Sequence, residues 1–279
     1  MEKTLDSKFF WGESTATIHW CEEKYAVTTY ISEFWNTVSN MLYILFSLYG
    51  IFWSRRLGHE FRYILCYAGM MLVGLGSTMF HATSLYQWQL ADELPMIYAT
   101  SIVVFCVYEA ENLKRPGKAV PIILVGYCII VTVMYLVLKT PAFHQVSYAF
   151  LNFIIAFYVL VKHKLAVKNS VHYKSFSALT RNVVAGFVLA FLLWNVDNAF
   201  CPQLRSFRNK VPLLISPLTQ LHAYWHFGTA FACYNAIIYQ KLLRMVYLGL
   251  DRDIEVGYLF SFVPHIRPRS YLPLKNSIL

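Results

Sequence analysis

The sequence has few charged residues, and this scarcity argues against a soluble globular domain. Asp, Glu, Lys and Arg make up only 14% of its 279 residues, whereas soluble domains carry about a quarter. No cleavable signal peptide is expected in residues 1–28 either, because charged residues interrupt them, so the first apolar segment is expected to act as the targeting signal. With a hydrophobic share of 57% and a mean hydropathy of +0.45, the composition predicts a membrane protein.

Apolar segments of about 20 residues recur along the chain, which is the length that crosses the ~30 Å hydrocarbon core of a bilayer. We place seven of them, at residues 31–53, 62–84, 90–112, 119–138, 143–161, 181–201 and 217–240. No linker between them is long enough to separate two domains. The sequence therefore predicts an all-α membrane protein with a single domain over 1–279, built as a seven-transmembrane helix bundle.

The distribution of positive charge predicts how this bundle is oriented. If the amino terminus is lumenal, only seven of the 24 Lys and Arg residues lie on the lumenal side, as the positive-inside rule requires. We therefore expect a lumenal segment over 1–28, membrane helices over 31–240 and a cytosolic tail over 241–279. The net charge of +9 then reflects this bias and attraction to anionic lipid, and no nucleic-acid partner is expected.

Two histidines lie four residues apart at the start of the last apolar segment. His222 and His226 share one face of a helix, but a hydrolytic zinc site needs three protein ligands and one position open to water. His81, near the end of the second segment, is the best candidate for the third ligand. In the predicted topology all three lie at the same lumenal depth. The sequence thus predicts a zinc site inside the membrane.

Polar side chains at this depth are candidates for the chemistry around the metal. Ser77 precedes His81 by four residues and shares its helix face. Asp92 is an ionisable residue in an apolar segment, which makes it a functional hypothesis by default. Asp197, in the sixth segment, either orients a metal-bound histidine or hydrogen-bonds a neighbouring helix.

Other ionisable residues have structural explanations. Glu93 is expected to cap the third helix, and His144 to anchor the fifth at the headgroup level, with a spare metal ligand as the alternative for His144. Glu22 and Glu33 either favour a helix dipole or offer oxygens to a cation such as calcium, which takes six or more ligands. Lys24 is the alternative partner that would neutralise them.

The six cysteines divide by depth. Four lie in apolar segments and are expected in the core: Cys66, Cys106, Cys128 and Cys233. Cys21 and Cys201 are both predicted to be lumenal, and an oxidising lumen favours a disulfide between them. The alternative is two free thiols at similar depth.

Polar and aromatic motifs follow one another in a fixed order along the chain. They are Trp20-Cys21-Glu22-Glu23, Glu33-Phe34-Trp35-Asn36, Gly76-Ser77 to Phe80-His81, Asp92-Glu93-Leu94-Pro95, Phe143-His144-Gln145, Trp194-Asn195-Val196-Asp197-Asn198 and Gln220-Leu221-His222-Ala223-Tyr224-Trp225-His226. The ordered set resembles the alkaline ceramidases, integral membrane amidases of the superfamily that also holds the adiponectin and progestin receptors. A lone His-x-x-x-His would not be specific, whereas the whole set is.

The resemblance implies an enzyme that hydrolyses the N-acyl bond of ceramide to a sphingoid base and a free fatty acid. It implies a multi-pass protein of the endoplasmic reticulum or Golgi membrane with a lipid substrate, and no protein partner. It assigns zinc binding to His81, His222 and His226, action at the reacting amide to Ser77 and Asp92, and a disulfide to Cys21 and Cys201.

The family also binds calcium through the Trp20 carbonyl, Glu22, Glu33 and two further ligands. This chain has His19 and Lys24 where the family has Asp and Asn, so two oxygen ligands are lost and a cation is added. We therefore expect calcium binding to be weakened or absent, with Lys24 paired to one of the two carboxylates instead.

Metal-site chemistry then predicts the mechanism. Zinc held by three neutral imidazoles lowers the pKa of its water toward ~7. Asp92 would transfer a proton and the Ser77 hydroxyl would help to hold the oxyanion. Because protonated histidines release the metal, the activity is expected to fail in acid and persist in base.

Other classes of seven-helix protein fit less well. A metal-containing lipid receptor of the adiponectin and progestin receptor type is the main alternative, but its opposite topology conflicts with the charge bias. A retinal-binding protein would need a lysine midway along the last helix, whereas Lys241 is expected at its cytosolic end. A di-iron hydroxylase would need more histidine pairs than the single one in this sequence.

Overall fold

The computed structural model describes residues 9–113, 117–212 and 215–269, and helices dominate these ranges. The helices are α1 (Phe34–Ser39), α2 (Met41–Arg56), α3 (Phe61–Thr83), α4 (Tyr86–Tyr108), α5 (Ala119–Leu138), α6 (Pro141–Phe157), α7 (Lys164–Asn169), α8 (Tyr173–Ala199), α9 (Cys201–Arg208) and α10 (Leu221–Tyr247). A π-helical turn, Tyr158–Lys162, continues α6, and a 3-10 turn, Ser216–Thr219, precedes α10. Strands β1 (Ile254–Leu259) and β2 (Val263–Pro268) form an antiparallel hairpin after α10.

Six helical segments are long and apolar enough to cross a membrane, which confirms the multi-pass, mainly helical class. They are Phe34–Arg56, Phe61–Thr83, Tyr86–Tyr108, Ala119–Leu138, Pro141–Lys162 and Tyr173–Ala199. Helix α10 has 27 residues and is also long enough. It carries buried polar side chains, among them Asn235, Gln240 and Lys241, and these lower its mean hydropathy. The described residues thus hold six helical segments that meet both criteria, and the seventh predicted span stays a prediction.

Several helix ends lie beyond the predicted ones, because polar residues that suggest a boundary are buried inside helices. Helix α4 begins at Tyr86 and not at residue 90, where the third apolar segment was predicted to start, so Tyr86 to Gln89 form its first turn. Helix α10 runs to Tyr247 and buries Lys241, whose ammonium donates to the Ser54 hydroxyl at 3.0 Å. The predicted end of the last helix at residue 240 is therefore seven residues short.

The predicted cytosolic tail, 241–279, also contains a hairpin that the sequence pattern did not indicate. The hairpin of β1 and β2 packs on α2 and α10. Tyr234 donates from its hydroxyl to the Pro264 carbonyl at 2.6 Å, and the Tyr49 hydroxyl lies 3.0 Å from His265 Nδ1. The His265 ring also stacks on Trp53, with 4.4 Å between ring centroids. Residues 270–279 of the tail lie outside the described residues.

Helices α3 and α4 approach each other closely at Gly76. A Cβ atom there would collide with the carbonyl oxygen of Ala91 and lie 2.9 Å from the backbone nitrogen of Asp92. Pro95 lies inside α4 and lacks the N–H that would bond the Ala91 carbonyl. The freed carbonyl faces Gly76, and this contact sets Ser77 against α4 beside Asp92.

The segment before α1 lies across the end of the bundle at which α3 ends and α10 begins. The Glu33 N–H donates to the His81 carbonyl at 2.9 Å, and the Thr17 N–H donates to Gln89 Oε1 at 2.8 Å. The predicted disulfide between Cys21 and Cys201 is present and ties this segment to the start of α9. The amino-terminal segment therefore forms one wall of whatever site this end of the bundle holds.

Candidate metal centre

Three buried histidines converge beneath the amino-terminal segment. His81 comes from the last turn of α3, and His222 and His226 come from the first two turns of α10. Their side chains are 1%, 3% and 4% exposed, and one ring nitrogen of each lies within 4.8 Å of those of the other two. The structure thus brings together the three residues that were predicted to bind zinc.

Glu33 orients the first of these rings. Its Oε2 lies 2.7 Å from His81 Nδ1 and 3.1 Å from Asn36 Nδ2. A carboxylate at this distance accepts the Nδ1 proton, which leaves the Nε2 lone pair of His81 free for a metal. Glu33 was predicted as a calcium ligand, and in the structure it contacts a predicted zinc ligand.

Ser39 orients the second ring in the same way. Its hydroxyl donates to the Asn36 carbonyl at 2.9 Å and lies 2.7 Å from His226 Nδ1. Since the single hydroxyl proton is used on Asn36, Ser39 accepts the proton on Nδ1. His226 therefore also keeps Nε2 free.

His222 is positioned by packing. Its ring stacks on Trp20 with 3.9 Å between centroids and 22° between planes, while its Nδ1 is buried without a hydrogen-bond partner. Asp197 faces the backbone of Cys21, Leu221 and His222. Asp197 thus faces the backbone at the start of α10, which is closer to the predicted alternative of a contact with a neighbouring helix than to the orientation of a metal-bound histidine.

The donor set fits a zinc ion. Three neutral imidazoles are a common zinc donor set, and they leave the fourth tetrahedral position for water or substrate. Two of the rings carry the Nδ1 hydrogen bonds that metal-bound histidines usually make. The three histidines are thus a candidate metal centre, and the identity of the metal stays a prediction.

Ser77 and Asp92 lie beside this cluster. Ser77 is buried one helical turn before His81, roughly 6 Å along α3. Its side chain contacts the carboxylate of Asp92, which lies in the second turn of α4. A hydroxyl, a carboxylate and three imidazoles in one enclosed region can support proton transfer and hydrolysis at a metal.

The predicted calcium ligands accept hydrogen bonds from other groups of the protein. Both carboxylate oxygens of Glu22 accept backbone N–H groups at the start of α1, from Trp35 at 2.7 Å and Asn36 at 2.9 Å. Burial raises the pKa of Glu22 to about 7. The Trp20 carbonyl accepts Arg205 Nη2 at 3.4 Å, so helix capping and a guanidinium use the oxygens that calcium would need.

Lys24 does not form the predicted ion pair. Its ammonium donates to the Ser14 hydroxyl at 2.9 Å, and no ion pair joins it to Glu22 or Glu33 in the described part of the chain. The cation still lies close enough to act on Glu33 electrostatically. Lys24 thus adds positive charge to this region without occupying either carboxylate.

A second buried polar group lies next to Asp92 on α4. Glu93 accepts the Tyr135 hydroxyl and, at 3.1 Å, Gln89 Nε2. His144 Nε2 bonds the Glu93 carbonyl at 2.8 Å. Glu93 is thus no helix cap, and His144, only 3% exposed, is no headgroup anchor. The four-residue spacing of Gln89 and Glu93 was the only local signal of this network.

Together, the apolar helices and the buried histidine cluster beside a Ser–Asp pair define a multi-pass membrane protein of hydrolase type. A family model described as "Ceramidase" matches residues 12–267. The chain belongs to the ceramidase family, which confirms the resemblance and the enzyme class predicted from its sequence.

Individual relatives agree with this assignment. The chain is 39% identical over 267 residues to "Alkaline ceramidase 3" of Mus musculus, covering 95% of this chain and 97% of the relative. It is 30% identical to "Alkaline ceramidase YPC1" of Saccharomyces cerevisiae, over 92% of this chain and 85% of the relative. An "Alkaline ceramidase" of Arabidopsis thaliana is 26% identical over 92% and 94%.

Proposed function

We propose that this protein hydrolyses the N-acyl amide of ceramide-type lipids at a zinc ion held by His81, His222 and His226. The observation that carries the proposal is the convergence of three buried imidazoles, two of them with Nδ1 engaged and Nε2 free. The ceramidase family supplies the reaction class. The products are a sphingoid base and a free fatty acid.

The metal would supply Lewis-acid polarisation of the amide carbonyl and an activated water. The protein holds the three rings in fixed orientation through Glu33, Ser39 and Trp20. Such preorganisation means that the ligands need no rearrangement during the reaction.

Asp92 is the proposed proton carrier. It accepts a proton from the attacking water and returns it to the departing nitrogen, so that the amine leaves in neutral form. Ser77, which contacts Asp92, donates its hydroxyl to the carbonyl oxygen as negative charge develops there. The buried surroundings strengthen both interactions, because they exclude bulk water.

The membrane arrangement is part of the proposal. Helix α10 is the seventh span, since its 27 residues exceed the ~20 needed to cross a bilayer. The domain is single over 1–279, the amino terminus is lumenal and the enzyme resides in the endoplasmic reticulum or Golgi membrane. The disulfide between Cys21 and Cys201 suits an oxidising lumen.

The test is His81→Ala, assayed for zinc content and for sphingoid base released from a ceramide panel with and without a chelator. We expect loss of the zinc and a fall in rate of more than about 100-fold. His59→Ala, at a buried histidine between α2 and α3, is the matched control and should keep both. Undiminished hydrolysis by His81→Ala would overturn the proposal, and a receptor would bind ceramide without releasing products.

A further inference from the structure

The hairpin of β1 and β2 has an exposed apolar tip. Four large side chains at its turn are open to the surroundings: Tyr258, Leu259, Phe260 and Phe262. Phe260 is 77% exposed and Phe262 is 54% exposed. No Asp, Glu, Lys or Arg occurs over residues 256–266. A cluster of this kind rimmed by polar residues marks a contact with another molecule or with a membrane.

Phe260 also has a backbone conformation that is unusual for an aromatic residue. Phe260 and Ser261 both have positive φ angles, 51° and 65°, where turns normally carry Asn or Gly. A bulky aromatic residue rarely adopts this conformation. The position thus keeps a large apolar side chain although a small polar one would suit the backbone better.

Contacts with α10 and α2 show where along the bundle the tip lies. Tyr234, which bonds the Pro264 carbonyl at 2.6 Å, precedes the last residue of α10 by 13 positions, or roughly 20 Å at 1.5 Å per residue. Tyr49, beside His265, precedes the end of α2 by seven positions, or roughly 10 Å. The hairpin therefore extends from the carboxyl end of α10 back toward the middle of the bundle. Its turn lies beside parts of α2 and α10 that are within the membrane.

The charges on the hairpin agree with this placement. Its exposed ion pair, Glu255 to Arg267 at 2.6 Å, lies at the base next to the exposed Arg252. The strands between base and tip have six residues each, which corresponds to roughly 17–20 Å. That length matches the distance measured along α10. Charged groups thus lie at the level of the helix ends, and uncharged aromatic groups lie deeper.

We propose that the hairpin tip inserts into the membrane leaflet at the carboxyl end of α10, with Phe260 and Phe262 among the phospholipid acyl chains. Helix α2, which contacts the hairpin through Tyr49 and Trp53, also exposes the apolar side chains of Leu48 and Phe52. Only the turn enters lipid, and its Phe262 N–H is bonded to the Leu259 carbonyl, while β2 is covered by the bundle. This bond lowers the cost of placing the backbone of the turn in hydrocarbon.

The test is site-directed spin labelling of the whole protein in phosphatidylcholine nanodiscs. Ser261→Cys carries the nitroxide at the tip, and Arg252→Cys carries it at the base of the same hairpin. The unmodified chain, treated identically, gives the background from its four free cysteines. Relaxation by molecular oxygen, which concentrates in lipid, is compared with relaxation by a water-soluble nickel chelate.

We expect oxygen to relax the label at residue 261 several-fold more than the chelate, and the reverse at residue 252. Chelate access at 261 equal to that at 252 would place the tip in water and overturn the proposal. Low access to both reagents would mean that protein, such as a second copy, covers it, and would overturn it as well. If Ser261→Cys does not fold, Phe262→Cys replaces it.

A label on the outer face of α5, at Ile130→Cys, separates this proposal from the membrane assignment. Ile130 is exposed in the middle of an apolar helix, so it should show the lipid pattern whether or not the hairpin inserts. A lipid pattern at 130 with a water pattern at 261 would reject the hairpin anchor alone.

Discussion

Ser39 helps to set which nitrogen of His226 is available to a metal. Its hydroxyl proton is used on the Asn36 carbonyl, so the oxygen must accept from His226 Nδ1. The sequence does not indicate this role, because nothing in the pattern distinguishes Ser39 from other small residues near the start of an apolar segment. Glu33 performs the same function for His81 through a carboxylate.

The variant Ser39→Ala removes this acceptor without creating a large cavity. We expect zinc affinity to fall by roughly 10–100-fold, the usual effect of losing a group that orients a metal-bound histidine. Competition with a zinc chelator measures it, and hydrolysis should recover at high zinc. Ser147→Ala is the matched control, because its hydroxyl also bonds a carbonyl of its own helix, that of Phe143, and it lies on α6, which carries none of the three proposed zinc ligands. Equal zinc affinity in both variants would contradict the role.

Lys24 and His19 are the two residues from which we expect weak or absent calcium binding in this chain. The Lys24 ammonium donates a hydrogen bond to the Ser14 hydroxyl and interacts electrostatically with Glu33. A divalent cation at this place would therefore be repelled by Lys24 and would also have too few oxygen ligands. We expect added calcium to leave the rate unchanged at a fixed free zinc concentration.

The double substitution His19→Asp with Lys24→Asn should introduce calcium stimulation of several-fold, measured by titrating calcium into a depleted assay. Lys24→Met is the control, because it removes the charge without supplying an oxygen ligand, and it should not respond. If the unmodified protein were stimulated as strongly as the double variant, the interpretation of both residues would be wrong.

Among the elements, the contact between α3 and α4 depends on one glycine and one proline. Pro95 leaves the Ala91 carbonyl without its helical partner, and Gly76 allows α3 to approach that carbonyl directly. The approach places Ser77 against Asp92, so two residues of the proposed mechanism depend on a packing detail of the helix pair. Neither residue is itself a catalytic candidate.

Gly76→Ala should therefore lower both stability and rate. The added methyl group would collide with backbone atoms of Ala91, which cannot move aside as a flexible side chain could. Such overpacking lowers the free energy of unfolding by roughly 1–3 kcal/mol. Thermal unfolding in detergent and the hydrolysis rate measure the two effects. Gly126→Ala in α5, where a Cβ meets open space, should leave both intact. Equal behaviour of the two variants would show that the close approach is not needed.

At the scale of the whole molecule, the metal centre, the disulfide and the amino-terminal segment all lie at one end of the bundle, and the hairpin lies along its other half. We expect the first end to be lumenal. Because the chain has no Asn-x-Ser/Thr acceptor, a single acceptor site engineered at either terminus reports the orientation without background. A glycan is expected on the amino-terminal site and not on the carboxyl-terminal one, and the reverse pattern would invert the proposed topology.

The sequence by itself determined the membrane class, the family, the three converging histidines and the cysteine pair. These features follow from the length of the apolar segments, the spacing of the metal-binding residue types and the order of the motifs. All three can be read from the sequence without knowing which residues contact one another in the fold. Helix ends were less predictable, because Lys241 and Glu93 are polar residues buried by partners from other helices.

Only the tertiary structure decided how the rings are oriented, where the Glu22 oxygens point and how the chain folds back after α10. Ser39 and His226, like Trp20 and His222, are far apart in the sequence, and nothing local indicates that they touch. The hairpin was missed because its short strands gain their stability from Tyr49, Trp53 and Tyr234 in the bundle. A buried polar group or a two-stranded sheet is stable only with partners supplied from elsewhere in the chain, and the choice of partner is a property of the folded molecule.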